Sequence, residues 1–167
     1  MLVVSLWYLL DTNIVSEPLR PQPDPGVMAQ LAKHAGRAAI ATIVWHELLF
    51  GCYRLPASRK RSAIDRYLQQ VVRQTLPLLP YDTAAAEWHA AERARLTNIG
   101  QTPSFVDGQI AAIAKVNGLT LVTQPTWNIT PRFKASVSTT GVRSIGHRRG
   151  RESLATARPT AWFPAPA

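Results

Sequence analysis

The sequence predicts an α/β fold, in which a short parallel sheet of four strands is flanked by helices. Two observations support this. Four short, apolar, β-prone segments punctuate the first 123 residues, and stretches with helical periodicity lie between them. Because strands separated by helices are joined by crossover connections, the strands are expected to run parallel. In such sheets functional side chains collect beyond the carboxyl ends of the strands, so this edge is where chemistry is expected.

Each element has its own signal in the sequence. The expected strands are Val3–Leu10, Ala38–Ala41, Leu76–Tyr81 and Leu119–Thr123. The expected helices are Val27–His34, Ile43–Leu55, Arg59–Gln74, Ala84–Asn98 and Phe105–Asn117. Thr42, Thr83 and Ser104 are predicted to cap the starts of helices, and Gly118 is predicted to follow the end of one.

Composition places the chain among globular proteins. It has 167 residues, of which 46% are hydrophobic and 17% charged, a size that suits one domain with its own core. The single cysteine, Cys52, cannot form an internal disulfide. The apolar run Met1–Leu10 lacks a basic start and a cleavage site, and it is too short to span a bilayer. We therefore expect a cytoplasmic protein with no membrane association.

The charge is distributed unevenly along the chain. Residues 1–123 hold twelve Lys/Arg and nine Asp/Glu, whereas residues 124–167 hold seven Lys/Arg and one Glu. The second range also lacks any sustained period of 2 or 3.6 and is rich in Ser, Thr, Pro, Gly and Arg. We expect a folded domain over 1–123 and an irregular basic tail over 124–167.

Asp11 is the first candidate for chemistry. It follows the first predicted strand directly, and a charge there is costly unless it is paired, hydrated or bound to a metal. Thr12 and Asn13 add short polar side chains that can orient a carboxylate. The alternative interpretation is that Asp11 only caps the next helix.

Glu47 lies among apolar residues in the helix after the second strand. Ile43, Glu47 and Phe50 share one helical face, so Glu47 is expected to point inward over the sheet. Taken alone, a glutamate on a helix is more often a surface charge. His46-Glu47 also invites a zinc-protease interpretation, but that motif needs a second histidine at the position of Phe50, so it fails.

Asp107 lies in the first turn of the last predicted helix, where an aspartate is also favourable with the helix dipole. With Asp11 and Glu47 it is expected to converge at one edge of the sheet. Clustered carboxylates repel one another, so they usually share a cation. Oxygen ligands without a matching Cys or His set favour Mg²⁺ or Mn²⁺ over zinc, and such a site can hydrolyse a phosphodiester.

The sequence resembles a known protein family. Three stretches, in this order, look like PIN-domain toxins of the virulence-associated protein C (VapC) type: Tyr8-Leu9-Leu10-Asp11-Thr12-Asn13, the Glu47 helix after Ile40-Ala41-Thr42, and Asp107-Gly108-Gln109-Ile110-Ala111-Ala112 followed by Leu119–Thr123. The resemblance covers about residues 8–123. It implies a PIN-like three-layer fold and an Mg²⁺-dependent endoribonuclease that cleaves RNA, is inhibited by a cognate antitoxin and is commonly dimeric. It also implies that Asp11, Glu47 and Asp107 bind metal and catalyse, with Thr12, Asn13 and Thr123 as polar neighbours.

The chain departs from the family pattern after Thr123. The family usually continues Thr-Arg-Asn or Thr-Arg-Asp, whereas this chain has Gln124 and Pro125, and Asn128 is a weak substitute for the missing polar or acidic position. One alternative is therefore a degenerate toxin that binds antitoxin without efficient RNA cleavage.

Two further alternatives use other features. A phospho-acceptor receiver domain also places carboxylates over a parallel sheet, but it needs paired acids after the first strand and a late lysine that this chain lacks. General nucleic-acid binding is the second. It points either to the tail segment 146–151 or to the basic residues Arg54, Arg59, Lys60 and Arg61, although such runs are more often solvated.

The tail also suggests a frameshift hypothesis. The composition changes abruptly at the point where the family motif should continue. Back-translated and read from the third base of each codon, residues 129–141 permit the segment Tyr-Pro-Ala-Phe-Gln-Gly-Ile-Ser-Val-Asp-Asp-Trp, which resembles the usual end of these toxins. The expected consequence is a missing closing strand.

Overall fold

The computed structural model of the chain describes residues 5–123. The predicted tail over 124–167, and the first two residues of the expected strand Val3–Leu10, lie outside the described residues. Within residues 5–123, no helix combines the length and the apolar character needed to cross a membrane.

The predicted four-stranded parallel sheet is confirmed. Its strands are β1 (Tyr8–Leu10), β2 (Ala38–Ala41), β3 (Leu78–Leu79) and β4 (Thr120–Val122), in the order β3-β2-β1-β4. Each pair runs parallel, and the two centre strands are β1 and β2. Strand β3 is shorter than predicted because Pro77 and Pro80 flank it, and a proline has no N–H to donate to a neighbouring strand.

Helices connect and flank these strands. They are α1 (Thr12–Val15), α2 (Pro25–Lys33), α3 (Thr42–Tyr53), α4 (Arg59–Tyr67), α5 (Arg73–Thr75), α6 (Thr83–Asn98) and α7 (Phe105–Val116). A 3-10 turn at Glu17–Leu19 follows α1, and a π-helical stretch at Leu68–Val72 joins α4 to α5. The helix predicted over Arg59–Gln74 is therefore continuous in the chain but changes its winding in the middle.

Two of the four predicted helix signals are correct. Ser104 caps α7 by accepting a hydrogen bond from Asp107 N at 3.1 Å, and Gly118 follows α7 with a φ of 65°. The other two are wrong. Asp82 rather than Thr83 caps α6, since its carboxylate accepts from Ala85 N at 2.9 Å. Helix α3 begins at Thr42 itself, directly from β2, and its N-cap residue makes no side-chain hydrogen bond.

The core lies against the two central strands. Leu9, Ala39, Ile40 and Ala41 are completely buried, and large apolar side chains from three helical segments are buried as well. These side chains include Val44, Leu68, Val72 and Ile113. Full burial of each large apolar side chain contributes about 1.5–3 kcal/mol. The carboxyl ends of β1 and β2 are thus held in fixed positions by well-packed residues.

A candidate acidic site at the carboxyl edge of the sheet

Asp11 is positioned by the two strands that meet at its backbone. It directly follows β1, and its N–H donates to the carbonyl of Val122 at the end of β4, at 3.1 Å. Its Oδ1 accepts from Thr12 N at 2.7 Å, which makes Asp11 the N-cap of α1. The alternative role as a helix cap is therefore real. It does not account for the whole environment of the half-buried carboxylate.

Glu47 is tied to the same strand end by a neighbour of Asp11. Helix α3 starts immediately after β2, so Glu47 lies one and a half turns beyond the strand and is half-buried. The hydroxyl of Thr12 donates to Glu47 Oε2 at 2.5 Å. Thr12 was predicted as a polar neighbour of the site, and it contacts a candidate acid directly.

Asp107 belongs to α7, which follows Asp11 and Glu47 by many residues in the chain. It lies in the first turn of α7, is exposed, and its backbone N–H is fixed by the Ser104 cap. Its charge acts on Asp11. Glu47 and Asp107 therefore both lie within electrostatic range of Asp11.

The pKa of the Asp11 carboxyl reflects both its burial and its charged neighbours. Burial raises the pKa of its carboxyl above the ordinary value of 3.8, and the hydrogen bond from the Thr12 backbone N–H opposes this. The negative charges of Glu47 and Asp107 raise the pKa further. The ionised form of Asp11 is therefore destabilised, and a nearby cation would relieve that cost.

The acids form a loose group rather than a closed cage. Over residues 5–123, no three side chains of His, Cys, Asp or Glu come close enough together to hold a metal ion. What the edge offers is a set of oxygen donors, namely three carboxylates and a threonine hydroxyl. This chemistry fits a hard cation such as Mg²⁺ or Mn²⁺, which keeps several water ligands and needs few from the protein.

The other two predicted neighbours are placed less directly. Asn13 lies in α1 and is half-buried, and its carbonyl accepts from the Ser16 hydroxyl at 3.3 Å. Thr123 is exposed beyond β4 and lines a mainly apolar cavity of about 520 Å³ together with Leu10 and Val27. Contact of Asn13 or Thr123 side chains with the three acids stays a prediction.

His89 is a residue that the sequence analysis missed. It is 3% exposed, its Nδ1 lies 3.0 Å from the Tyr81 hydroxyl, and its ring centroid lies 5.1 Å from that of Phe105. A Cβ built on Gly108 would stand 2.2 Å from His89 Nε2, so only glycine lets α7 approach this ring. Phe105 and Gly108 flank Asp107, so the packing of α6 against α7 sets the position of the third acid.

Burial disfavours the protonated form of this histidine. Its pKa lies below the ordinary value of 6.5, first because the ring is desolvated and second because of the nearby charge of Arg93. The only advance signal in the sequence was Gly108, a glycine inside a helix, where glycine is otherwise unfavourable.

Fold and site together define a class: α/β proteins with acidic side chains gathered at the carboxyl edge of a short parallel sheet. The family model of the PIN domain matches residues 8–124 of this chain. The chain therefore belongs to the PIN-domain family, in its branch of VapC-type toxins.

Individual relatives agree with this assignment. Toxin FitB of Neisseria gonorrhoeae is 36% identical over 124 residues, which cover 71% of this chain and 87% of the relative. VapC ribonuclease Y4jK of Sinorhizobium fredii is 31% identical over 121 residues, covering 71% and 86%. The crystal structure of FitAcB from Neisseria gonorrhoeae superposes with a TM-score of 0.63 at 34% identity, covering 70% of this chain and 86% of that one.

Proposed function

We propose that this chain is the toxin of a type II toxin–antitoxin module, acting as a cytoplasmic, Mg²⁺-dependent endoribonuclease. The observation that carries the proposal is the environment of Asp11, whose half-buried carboxylate lies within the electrostatic reach of two further acids. An arrangement that raises the pKa of an acid in this way favours a cation at the same place. The relative that is named a ribonuclease supports the reaction class.

The three acids share one task in this proposal, and Thr12 supports two of them. Asp11, Glu47 and Asp107 would hold Mg²⁺, or Mn²⁺ in its place. The bound ion would supply Lewis-acid chemistry and a water of lowered pKa for attack on a phosphodiester. The Thr12 backbone N–H fixes the Asp11 carboxylate, and the Thr12 hydroxyl fixes that of Glu47. Thr12 thereby orients two of the ligands before any ion arrives, which lowers the cost of binding.

A second candidate function is antitoxin binding without efficient cleavage. The observation that favours it is the sequence Thr123-Gln124-Pro125, where the family carries a further polar or acidic residue. Gln124, Pro125 and the weak substitute Asn128 lie outside the described residues. In this version the three acids still attract a basic group of the partner, but turnover is lost.

A protein partner also forms part of the proposal. An antitoxin that inhibits such a site needs a basic side chain, and arginine is the natural complement to clustered carboxylates. A homodimer is proposed as well. We also propose that an apolar segment of the antitoxin docks against α3 near Trp45, Leu48 and Leu49. Leu48 is only 7% exposed because it faces the core, whereas Trp45 and Leu49 are half-buried and remain accessible.

The metal-dependent function is tested by melting and cleavage of the purified chain. We expect Mg²⁺ to raise the Tm and to support cleavage of RNA that EDTA abolishes. Asp107→Asn should weaken both effects. Glu87→Gln, which removes an exposed acid of α6, is the matched control and should change neither.

The possible results separate the two candidate functions. A chain that Mg²⁺ stabilises but that leaves RNA intact supports binding without cleavage. Absence of any divalent-ion effect on both melting and cleavage refutes the site assignment. Co-expression with the neighbouring small gene should give a co-purifying complex, and recovery of the chain alone at full yield without growth inhibition would count against the toxin role.

A further inference from the structure

Two large aromatic side chains are exposed at the end of α3. Phe50 and Tyr53 are each 54% exposed, among the most exposed large apolar side chains of residues 5–123. They lie three residues apart on the helix and so are neighbours on its surface. Adjacent exposed rings give the surface a contiguous apolar area, and such areas are candidates for binding.

Cationic side chains surround these rings. Arg54 Cζ lies 5.6 Å from the centroid of Phe50, and Arg61 Cζ lies 5.9 Å from that of Tyr53, both within the range of a cation–π contact. Between Leu48 and Ile64 the sequence has no Asp or Glu. We call the set the α3–α4 patch, and it consists of Phe50, Tyr53, Arg54, Arg59, Lys60 and Arg61.

The α3–α4 patch is a built surface rather than a loose run of charge. The Arg61 guanidinium donates to the Leu55 carbonyl at 3.2 Å, and Cys52 Sγ lies 3.7 Å from the Arg61 carbonyl. These contacts hold the start of α4 against the end of α3. Arg59 and Lys60, in the first turn of α4, are exposed beside them.

The patch is continuous with the acidic site. Phe50 lies one turn beyond Glu47 on α3, and its ring stacks on that of His46, with centroids 6.0 Å apart and planes 9° apart. A chain of nucleotides that reaches from Phe50 toward the carboxyl edge of the sheet would therefore pass Glu47. This continuity links the patch to the proposed ribonuclease and not to a separate activity.

We propose that the α3–α4 patch binds single-stranded RNA, with bases stacked on Phe50 and Tyr53 and phosphates held by Arg54, Arg59 and Lys60. The inference rests on the proposed ribonuclease function. An aromatic face accepts an unpaired base but not one inside a duplex, which specifies a single strand. A second copy of this chain fits less well, because a two-fold interface would bring together two patches of four cations each, and α4 offers only Asp65 to offset them.

The test measures binding of a fluorescent single-stranded oligoribonucleotide to the whole chain, with EDTA present to prevent cleavage. We expect Phe50→Ala and Tyr53→Ala each to weaken binding, raising the Kd by about tenfold. Ile99→Ala removes a side chain of similar exposure (55%) from another surface, and this control should leave the Kd unchanged.

Salt dependence separates the two kinds of contact. Arg54→Ala should lower the slope of log Kd against log salt by about 0.7, the value for one phosphate contact on a single strand. Phe50→Ala should weaken binding with little change of slope. Arg73→Ala, an exposed arginine on α5, is the matched charge control. A duplex of the same sequence should bind more weakly than the single strand.

Several outcomes would overturn the proposal. Patch variants that melt like the wild type and bind the oligonucleotide equally well show that the surface does not contact RNA. Conversion of a dimer to a monomer by Phe50→Ala, seen by sedimentation at unchanged RNA affinity, shows a copy–copy interface instead. Mg²⁺-dependent cleavage that survives either result leaves the proposed function standing, whereas a wild type that neither binds nor cleaves RNA refutes both.

Discussion

Asp11 combines two roles that oppose each other. Its carboxylate stabilises the chain as the N-cap of α1, but its ionised form is disfavoured by burial and by the charges of Glu47 and Asp107. An acid whose pKa is raised in the folded state lowers the stability once the pH rises above the ordinary value of the free carboxyl. Stability is thus sacrificed at the place where the cation is proposed to bind.

We therefore expect Asp11→Asn to raise the Tm at pH 7 in EDTA while it abolishes cleavage. The amide oxygen still caps α1, and the cost of the charge is gone. The advantage of the variant should shrink as the pH falls through the raised pKa toward 3.8, because the wild-type carboxyl then becomes protonated. Melting curves across this pH range measure the difference in Tm between Asp11→Asn and the wild type. The prediction is contradicted if the variant has the lower Tm at pH 7, or if the difference is the same at every pH.

Gly108 gives a second prediction for a single residue. Gly108→Ala should destabilise the fold by about 1–3 kcal/mol, because the added Cβ would collide with the buried ring of His89. Gly51 is the matched control, since it is also inside a helix but no heavy atom outside its own stretch of helix lies within 4 Å of its Cβ position. Gly51→Ala should stabilise the chain by about 0.5–1 kcal/mol.

Urea denaturation of both glycine variants measures the difference. Adding His89→Ala to Gly108→Ala should cost less than the two single changes together, because the clash needs both side chains. Equal stability of Gly108→Ala and the wild type would show that the first turn of α7 shifts freely, and with it Asp107.

At the scale of elements, the start of α6 offers a comparison between neighbouring residues. Asp82→Ala should cost about 0.5–2 kcal/mol, since its carboxylate caps the helix at Ala85 N. Thr83→Ala should cost much less, because Thr83 lies inside the first turn and is exposed. Chemical denaturation of the two variants gives the result, and a larger loss for Thr83→Ala would reverse the assignment of the cap.

The sequence predicted the long elements well because their patterns are local. The four strands and the five long helices were all found from apolar runs and periodicity. Helix α1 and the turn at Glu17–Leu19 are too short to show a period. The π-helical stretch was also missed, because an apolar spacing of three and four residues fits either winding.

The site was predictable to the extent that strand ends are predictable. Asp11 and Glu47 closely follow β1 and β2, and Asp107 lies in the first turn of α7, the helix that leads back to β4. In a parallel sheet these positions all belong to the carboxyl edge. The hydrogen bond from the Thr12 hydroxyl to Glu47 was not predictable in this way, because it depends on packing between segments 35 residues apart. The role of His89 was also hidden, because a histidine on a helix gives no local sign of the glycine it will contact.

At the scale of the whole molecule, the feature to explain is the position at which the match to the family ends. The match to the PIN family stops at residue 124, at the point where the composition changes. In the described part of the sheet β4 stands at an edge, next to which a closing strand would pair. We propose that residues 124–167 come from a shifted reading frame of an ordinary toxin gene.

Sequencing of the gene tests this proposal directly. One nucleotide restored near codon 124 should open a frame that encodes Thr-Arg-Asn or Thr-Arg-Asp and a short apolar strand. The restored protein should have a higher Tm than this chain, because it would carry the family's own closing strand for the edge of β4. If no such frame opens, the tail is a genuine extension and the proposal fails.

The pairing of β1 with β4 has a consequence for synthesis on the ribosome. Tyr8 of β1 pairs with Thr120 of β4. The central strand β1 therefore cannot complete its pairing until nearly the whole of residues 8–122 has been translated. At about 5–20 residues per second, this wait lasts on the order of 10 s. During that time the nascent chain carries Asp11 and Glu47 without Asp107 beside them. A fragment that ends before Asp107 would lack one of the three acids, so the proposed nuclease activity would require translation to pass this residue.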